Sequence, residues 1–367
     1  MFAGRSAGIC YMKDSFDQIE AWSDDKAMEL FEKIGKSGHH SVAGHTSYNL
    51  VLSGIPKIIA MILNNERDYN TSEKSARYTR MATSGDEKRL YDKWFAIFYE
   101  AIRGTYHTLE DRTIESLAKE NARYFISVFT PATTMEYTVD FRQGNYLIQF
   151  LEDYAEIISE SNEPFDCKLR PWLIETAKLF RSVFNCDELR EGKGRGLSLF
   201  AKRERHEQFG ESYSVNYKGS FAQLAQAQRH RKLKYEMMVP DLSEAEFFVP
   251  PILPRGVVEQ YLKDMESVKA DYPQGMLVKI NEQGCHDDFI TSKCTERLCG
   301  SAQLEICRQT RMTLNRYIYA TCDLGLTDIY DELRLVRDKT KCQMDFVTQK
   351  CTKPCPLGQA NAFTRRI

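Results

Sequence analysis

Residues 72–78 read Ser-Glu-Lys-Ser-Ala-Arg-Tyr, and residues 226–231 read Gln-Ala-Gln-Arg-His-Arg. The first stretch follows a segment whose apolar spacing predicts a helix, and the second stretch ends such a segment. Gln226, Arg229 and His230 follow i, i+3, i+4 spacing, so they share one face of their predicted helix. The two stretches stand at equivalent points of two similar series of predicted elements, and this correspondence decides our interpretation of the fold.

The order of predicted elements recurs along the chain. The first series contains a strand predicted over residues 133–141 and helices predicted over residues 24–36, 55–65, 94–106, 109–124 and 171–184. The last of these helices would have Pro171 in its first turn, where proline is tolerated. The second series contains a strand predicted over residues 212–218, an extended segment over 276–280 and helices over 220–231, 257–269 and 300–319.

This recurrence predicts an α+β fold with an internal duplication. We expect two tandem domains, each a mainly antiparallel sheet packed with helices, over residues 1–186 and 187–330. A Cys-containing C-terminal extension would follow over residues 331–367. Three glycines and mixed charges make residues 188–196 the best candidate for a linker. The alternative is one irregular α+β domain in which the similarity arises by chance.

The composition is that of a globular protein and narrows the classes of function. The chain has 367 residues, 42% of them hydrophobic and 28% charged, and a net charge of −2, which gives no reason to expect nucleic-acid binding. No apolar run approaches the roughly 18 residues of a membrane helix, and residues 1–14 lack the apolar segment of a signal peptide. We therefore expect a cytoplasmic protein that does not contact membranes.

The cysteines do not predict a metal site. The chain has 11 cysteines, and in a cytosolic protein most should be free thiols. Cys342, Cys351 and Cys355 could form a metal knuckle with Cys322. No CxxC pair occurs, however, so the spacing typical of zinc sites is missing and no metal is expected.

Two polar clusters have the chemistry to bind anions. Ser75 and Arg77 offer a hydroxyl, backbone amides and a guanidinium, which suit a phosphate, and Glu73 could accept from a ribose hydroxyl or a base. Residues 229–231 offer two guanidiniums and an imidazole at a predicted helix end. Taken alone, each cluster is more typical of a solvated polar loop or of a basic helix end that complements the helix dipole.

Together the two clusters resemble a motif of the flavin-dependent thymidylate synthases. That motif is Arg-His-Arg, seven residues and Ser, with Glu two residues before the Ser and Arg-Tyr just after it. The second half keeps Arg-His-Arg at 229–231 but never reaches the Ser. The first half has Asn-Glu-Arg at 65–67 and keeps the Glu, Ser, Arg and Tyr within 72–78, with seven residues between Arg67 and Ser75. The resemblance therefore implies a fused, duplicated variant in which each synthase-like half retains what the other lacks.

Further segments resemble the same family. A Gly-His-Glu-Thr-Pro-Phe-Glu-His-like segment is matched by residues 38–45 and again by residues 205–212. An Ala-Arg pair is matched at 122–123, and a Thr-Val-Asn-x-Arg strand end is matched at 138–142. The opening of the family's last helix is matched by Arg297 and by Ala-Gln-Leu-Glu-Ile at 302–306.

The resemblance implies an enzyme that methylates dUMP to dTMP. Methylenetetrahydrofolate would give the carbon, and FAD reduced by NADPH would give the hydride. Members of the family are homotetramers whose active sites combine several subunits. A duplicated chain would then act as a homo-oligomer, expected to be a homodimer equivalent to that tetramer, with each site drawing one part from a first half and one part from a second half.

The resemblance also implies roles for individual residues. Arg297, with Arg229 nearby, and Ser75 would be the catalytic groups, since fixed guanidiniums can stabilise charge that develops on the uracil carbonyl oxygens. The nucleotide would be held by Gln226, Glu73, Ser75, Arg77, Arg123 and Arg297. The residues that would bind FAD or lie at the folate entrance are His206, Gln208, Glu211, Arg229, His230, Arg231, Arg142, Asn145 and His39.

Three departures from the family pattern leave other functions open. Asp140 replaces an Asn, Lys234 replaces a small polar residue, and Gly44 replaces a Glu. One alternative is a related flavin- and folate-dependent hydroxymethyltransferase that acts on a pyrimidine nucleotide. Another is a catalytically silent relative that binds flavin or nucleotide. A third is an α+β protein with none of these activities.

Overall fold

A computed structural model describes residues 2–192, 196–348, 355–358 and 361–367. Residues 193–195 of the predicted linker and Cys351 of the considered metal knuckle lie outside the described residues.

The described residues form α-helices and two antiparallel sheets. In chain order, the helices are α1 (Phe2–Tyr11), α2 (Phe16–Glu20), α3 (Asp24–Lys36), α4 (Lys57–Asn65), α5 (Gly85–Thr105), α6 (Asp111–Ala122), α7 (Phe141–Ile157), α8 (Pro164–Arg181), α9 (Phe221–Ala227), α10 (Arg255–Ser267), α11 (His286–Asp288), α12 (Thr295–Arg297), α13 (Leu304–Asp323) and α14 (Thr327–Val336). The strands are β1 (Ser47–Ile55), β2 (Tyr69–Glu73), β3 (Thr133–Asp140), β4 (Ser212–Ser220), β5 (Lys234–Met238) and β6 (Leu277–Cys285). A π-helical turn, Phe289–Cys294, separates α11 from α12.

The contacts divide the chain into two compact units. Unit 1 consists of Met1–Lys74 and Thr133–Ser198, and unit 2 consists of Ser75–Ala132 and Leu199–Ile367. These units are defined by contacts, whereas the tandem domains were predicted from sequence order. The prediction of domains over 1–186 and 187–330 therefore stays a prediction.

Unit 1 is built around a sheet in the order β1-β3-β2. Val139 of the central strand lies opposite Tyr48 on one side and Tyr69 on the other. Side chains alternate along β3, with Met135, Tyr137 and Val139 buried, which confirms the alternation that predicted this strand.

Helix α8 begins earlier than the sequence analysis predicted. Pro164, and not Pro171, lies in its first turn, and Pro171 lies inside the helix. The prediction was wrong because the buried stripe starts upstream, at Phe165 and Leu169, and continues to Phe180. Packing of this apolar stripe outweighs the cost of an internal proline, which sits on the exposed side of the helix.

Unit 2 contains the second sheet, in the order β4-β6-β5. Ile280 of the central strand lies opposite Tyr217 and opposite Met237. Both units therefore share one arrangement: a strand, a helix and a second strand, followed later by a third strand that pairs between the first two.

Helix α9 is shorter than predicted. It starts after Ser220, whose side chain caps the helix, and it ends at Ala227, so the predicted helix over 220–231 was wrong beyond that residue. The chain must reverse to start β5 at Lys234, and it does so through turns in which His230 N bonds to Ala227 O. Arg229 and His230 consequently follow the helix and do not lie on it.

An apolar cluster of unit 2 joins α5, α6 and α10. Trp94 stacks on Phe125 with ring centroids 5.7 Å apart and meets the ring edge of Tyr261 at 4.9 Å. The indole nitrogen of Trp94 donates to Asp264 at 2.8 Å, so the buried ring also satisfies its polar atom. Among the described helices, none is long and apolar enough to cross a membrane.

Candidate functional site

The Ser-x-Arg segment opens unit 2 as a tight turn. The Ser75 carbonyl accepts from the backbone nitrogens of Tyr78 and Thr79, at 3.2 and 2.9 Å. The Ser75 hydroxyl accepts from the backbone nitrogen of Arg77 at 3.3 Å. The short polar side chain thus stabilises the turn that carries Arg77, as Ser commonly does in turns.

Arg77 is held on both sides by its own unit. Its Nε forms an ion pair with the buried Glu120 of α6, and Nη2 donates to the Ser301 carbonyl at 2.9 Å. Burial by itself would lower the pKa of Arg77, but Glu120, together with Tyr78 and Cys299, outweighs burial and the pKa is raised. The guanidinium is therefore a fixed cation.

Arg297, His230 and Gln226 form a second group in unit 2. Nε of Arg297 donates to Nε2 of His230 at 2.6 Å, and Nη2 of Arg297 donates to the Gln226 carbonyl at 3.1 Å. The other ring nitrogen of His230 lies 3.4 Å from the Ser292 hydroxyl. The π-helical turn supplies Ser292, and such turns are frequent at functional sites.

The positive charges of Arg77 and Arg229 both act on Arg297. Burial is the largest cause that lowers the pKa of Arg297, and the positive charges of Arg77 and Arg229 lower it further. Burial also lowers the pKa of His230 to about 2, with contributions from Arg297, Lys293 and Arg229. Residues from the Ser-x-Arg turn and from the Arg-His-Arg run therefore share one electrostatic environment within a single chain.

Two residues of unit 2 offer polar atoms that no described residue satisfies. Arg123 is 7% exposed, and within the described part of the chain its Nε and Nη2 have no hydrogen-bond partner. The same holds for Oε1 of Gln226. Buried polar groups are normally bonded, so these atoms are suited to a ligand.

A buried carboxylate of unit 2, Glu305, was missed as a functional residue by the sequence analysis. Glu305 accepts from the backbone and hydroxyl of Ser220, at 2.8 and 2.6 Å, and from the Tyr124 hydroxyl at 3.0 Å. Gln303 in turn donates to Tyr124 at 2.6 Å. Burial raises the pKa of Glu305, while the bonds from Ser220 oppose this. Gln303 and Glu305 lie within the quoted stretch 302–306, so the signal was available.

A buried ion pair was missed as well. Lys293 of the π-helical turn and Glu282 of β6 form an ion pair with both side chains fully buried. Tyr213 and Tyr217 donate to the two oxygens of Glu282 at 2.7 and 2.9 Å. The pair fixes the turn that carries Ser292. A lone Lys and a lone Glu in the sequence give no sign of this pairing.

Several predicted flavin ligands lie on the surface of unit 2. The side chains of His206, Gln208, Glu211, Arg229 and Arg231 are exposed. The backbone of Gln208 pairs with Ser214 at 3.0 and 2.9 Å, which holds this segment alongside β4. These side chains are therefore accessible to a ligand.

A cavity of about 270 Å³ adjoins Arg77 in unit 2. Arg77, Tyr78, Glu120 and Ser301 contribute polar atoms to its wall, and Leu357 and Ile367 contribute apolar ones. A cavity with an apolar wall and few converging polar groups is typical of a small-molecule site.

The remaining predicted residues belong to unit 1. Glu73 accepts from Lys57 at 2.5 Å and from Asn64 at 3.3 Å, so both of its oxygens have protein partners. Asn145 donates to the Phe141 carbonyl at 2.7 Å and accepts from Cys186 N at 2.9 Å.

His39 and Arg142 also lie in unit 1. The imidazole of His39 is exposed and meets the Tyr11 ring at 5.7 Å. Arg142 lies 3.8 Å from Asp68 and 4.0 Å from Asp140. Their implied roles stay predictions.

One comparison with known proteins bears on this chain. Residues 3–152 match the family model described as thymidylate synthase complementing protein. The matched segment, less than half of the chain, is similar to that family and includes the turn with Ser75 and Arg77. Residues 229–231 and Arg297 lie outside it. A comparison with curated proteins finds no match.

Proposed function

We propose that the chain is a flavin-dependent thymidylate synthase that methylates dUMP to dTMP, with methylenetetrahydrofolate, NADPH and FAD. One observation carries the proposal. Ser75 and Arg77, which lie within the matched residues 3–152, belong to the same compact unit as residues 229–231 and Arg297. The two incomplete parts of one motif thus occur together, as a working site would require.

We also propose that the chain arose by duplication, with synthase-like halves over 1–186 and 187–330. The shared sheet order, β1-β3-β2 and β4-β6-β5, supports this origin. The complementary losses in the two Arg-His-Arg regions agree with it, because random decay would not spare matching parts.

For the nucleotide, the proposal assigns Arg297 to the uracil ring. Activation of the ring at C5 places negative charge on its carbonyl oxygens, and a preorganised, partly buried guanidinium stabilises such charge more strongly than water does. Gln226, Arg123 and the Ser75–Arg77 turn would bind the sugar and phosphate. The unsatisfied atoms of Arg123 and Gln226 supply donors and an acceptor for this purpose.

For the flavin, the donors present fit the chemistry of FAD. Its pyrophosphate needs cationic and amide donors, and the exposed His206, Gln208, Arg229 and Arg231 of unit 2 provide them. When bound and reduced by NADPH, FAD supplies the hydride. Neutral His230 would orient Arg297 through their hydrogen bond. Glu211, and Arg142, Asn145 and His39 of unit 1, keep their implied roles as part of the proposal.

The proposal includes a homo-oligomer, in the form of a homodimer, but the cluster around Arg297 does not depend on it. The positive charges of Arg77 and Arg229 both lower the pKa of Arg297 within one chain. This supports a site in which one chain supplies both the Ser-x-Arg turn and the Arg-His-Arg run.

The test is direct. Purified protein should absorb at roughly 450 nm, as oxidised flavins do. Calorimetry should detect binding of FAD and of dUMP. Turnover with methylenetetrahydrofolate and NADPH should yield dTMP, identified by chromatography. A hydroxymethylated product would instead support the alternative enzyme. A protein that binds neither FAD nor dUMP would overturn the proposal.

A further inference from the structure

The loop between α12 and α13 is held through its backbone by two guanidiniums. Nη2 of Arg77 donates to the Ser301 carbonyl at 2.9 Å. Nη1 of Arg365 donates to the carbonyls of Cys299, at 3.3 Å, and Gly300, and its Nη2 donates to that of Ala302 at 2.5 Å. All the carbonyls of residues 299–302 are thus bound by one arginine or the other.

We propose that Arg365 is a positioning residue of the candidate site, acting through this loop on Arg77 and Arg297; this inference rests on the proposed function. The loop follows Arg297 directly and carries the carbonyl that orients Arg77. A rigid fork of donors is the arrangement that can hold several carbonyls at once. Arg365 is therefore placed to set the direction of both arginines without touching a substrate.

The location of Arg365 supports a role in positioning. Its side chain is 2% exposed, so its charge is removed from water and its bonds to carbonyls are correspondingly strong. Ile367, from the same short segment 361–367, lines the cavity that adjoins Arg77. The segment therefore contacts both the loop and the cavity wall.

The neighbouring Arg366 provides a matched control. Its Nε donates at 2.9 Å to a single carbonyl, that of Pro251. Its backbone nitrogen donates to the Tyr106 hydroxyl at 2.9 Å, and neither bond involves the loop at 299–302. Arg366→Ala removes the same charge from the same segment and leaves the loop bonds intact.

Hydrogen exchange of the full-length protein tests the inference independently of activity. Arg365→Ala should speed exchange of backbone amides in residues 298–303, whereas Arg366→Ala should not. Arg365→Lys should show an intermediate effect, because one ammonium cannot reproduce the fork. If Arg365→Ala fails to fold, the comparison of Arg365→Lys with Arg366→Ala carries the test. Equal exchange in the Arg365 and Arg366 variants would overturn the inference.

Activity provides the second measurement. A misplaced site should reduce kcat/KM for dUMP by on the order of 10- to 100-fold in Arg365→Ala, and the double variant with Arg77→Ala should lose less than the product of the two single effects, since both act on one loop. If wild-type protein binds neither FAD nor dUMP, the proposed function fails, while the exchange experiment still decides the role of Arg365. Additive losses would contradict the shared loop.

Discussion

Nε of Arg297 donates a hydrogen bond of 2.6 Å to Nε2 of His230. An arginine can only donate, so Nε2 must accept and the imidazole must be neutral, with its proton on Nδ1. Ser292 Oγ lies 3.4 Å from Nδ1 and can accept that proton's hydrogen bond. The contact therefore sets both the tautomer of His230 and the direction of the guanidinium.

The neutral imidazole predicts acid-sensitive stability. Burial and nearby cations lower the pKa of folded His230 to about 2, below the unfolded value of about 6.5. The contribution of neutral His230 to the free energy of unfolding is therefore complete above about pH 6.5. It is lost as the pH falls toward about 2, by up to about 1.4 kcal/mol per pH unit. In urea unfolding between about pH 7 and pH 5, the free energy of unfolding of His230→Gln should therefore fall less steeply with decreasing pH than that of the wild type. His107→Gln, at an exposed position, should keep it; identical slopes in wild type and His230→Gln would contradict the argument.

Arg77→Ala should weaken nucleotide binding strongly. Removing a charged partner of a phosphate costs about 2–5 kcal/mol, or roughly 30- to 4,000-fold in affinity, and it also leaves Glu120 buried without its cation. Calorimetry with dUMP measures the loss, and thermal unfolding reports the accompanying loss of stability. Arg67→Ala, at an exposed position of the degenerate motif, should cost far less. If Arg67→Ala proves as damaging as Arg77→Ala, the proposed division of roles between the halves is wrong.

Arg229→Ala should separate function from stability. The side chain is exposed, so its removal should change the free energy of unfolding by no more than about 0.5 kcal/mol. Binding of FAD should nevertheless be weakened strongly, because the proposal assigns the exposed guanidinium of Arg229 to the FAD pyrophosphate. Lys234→Ala, also exposed, should leave both properties close to those of wild type. Unchanged ligand affinity in Arg229→Ala would remove Arg229 from the site.

Mixing inactive variants tests where the site is assembled. Arg77 and Arg229 belong to one compact unit of one chain, so a mixture of Arg77→Ala with Arg229→Ala should recover no activity. Each chain would carry one damaged site. Recovery in mixed oligomers would show that the working site combines two chains, as the resemblance to the tetrameric family first implied.

Tyr124→Phe should destabilise unit 2. The hydroxyl donates to the buried Glu305 at 3.0 Å and accepts from Gln303 at 2.6 Å, so the variant leaves two buried polar groups short of a partner. The expected cost is about 1–3 kcal/mol in the free energy of unfolding. Tyr99→Phe removes a hydroxyl from the surface side of α5 and should cost less than about 0.5 kcal/mol. A similar cost for both would mean that the Glu305 network does not depend on Tyr124.

Periodic segments of the sequence predicted local structure well. The helix over 24–36 coincides with α3, and the strand over 133–141 corresponds to β3, since each has a regular apolar repeat that matches its own secondary structure. The helix ends were less predictable. α9 stops at Ala227 because β5 must pair with β6, and α8 continues through Pro171 because its apolar face is buried.

By itself, the sequence determined the residue types of the candidate site and their division between two similar series, because motif spacing is a local property of the chain. Tertiary structure alone decided which of these residues meet. Folding brings Ser75–Ala132 into the same compact unit as residues from Leu199 onward, which puts Arg77 within electrostatic reach of Arg297. It also pairs Lys293 with Glu282 and Arg365 with the loop at 299–302. Such pairings depend on burial and on contacts between distant parts of the chain, and no local pattern in the sequence encodes them.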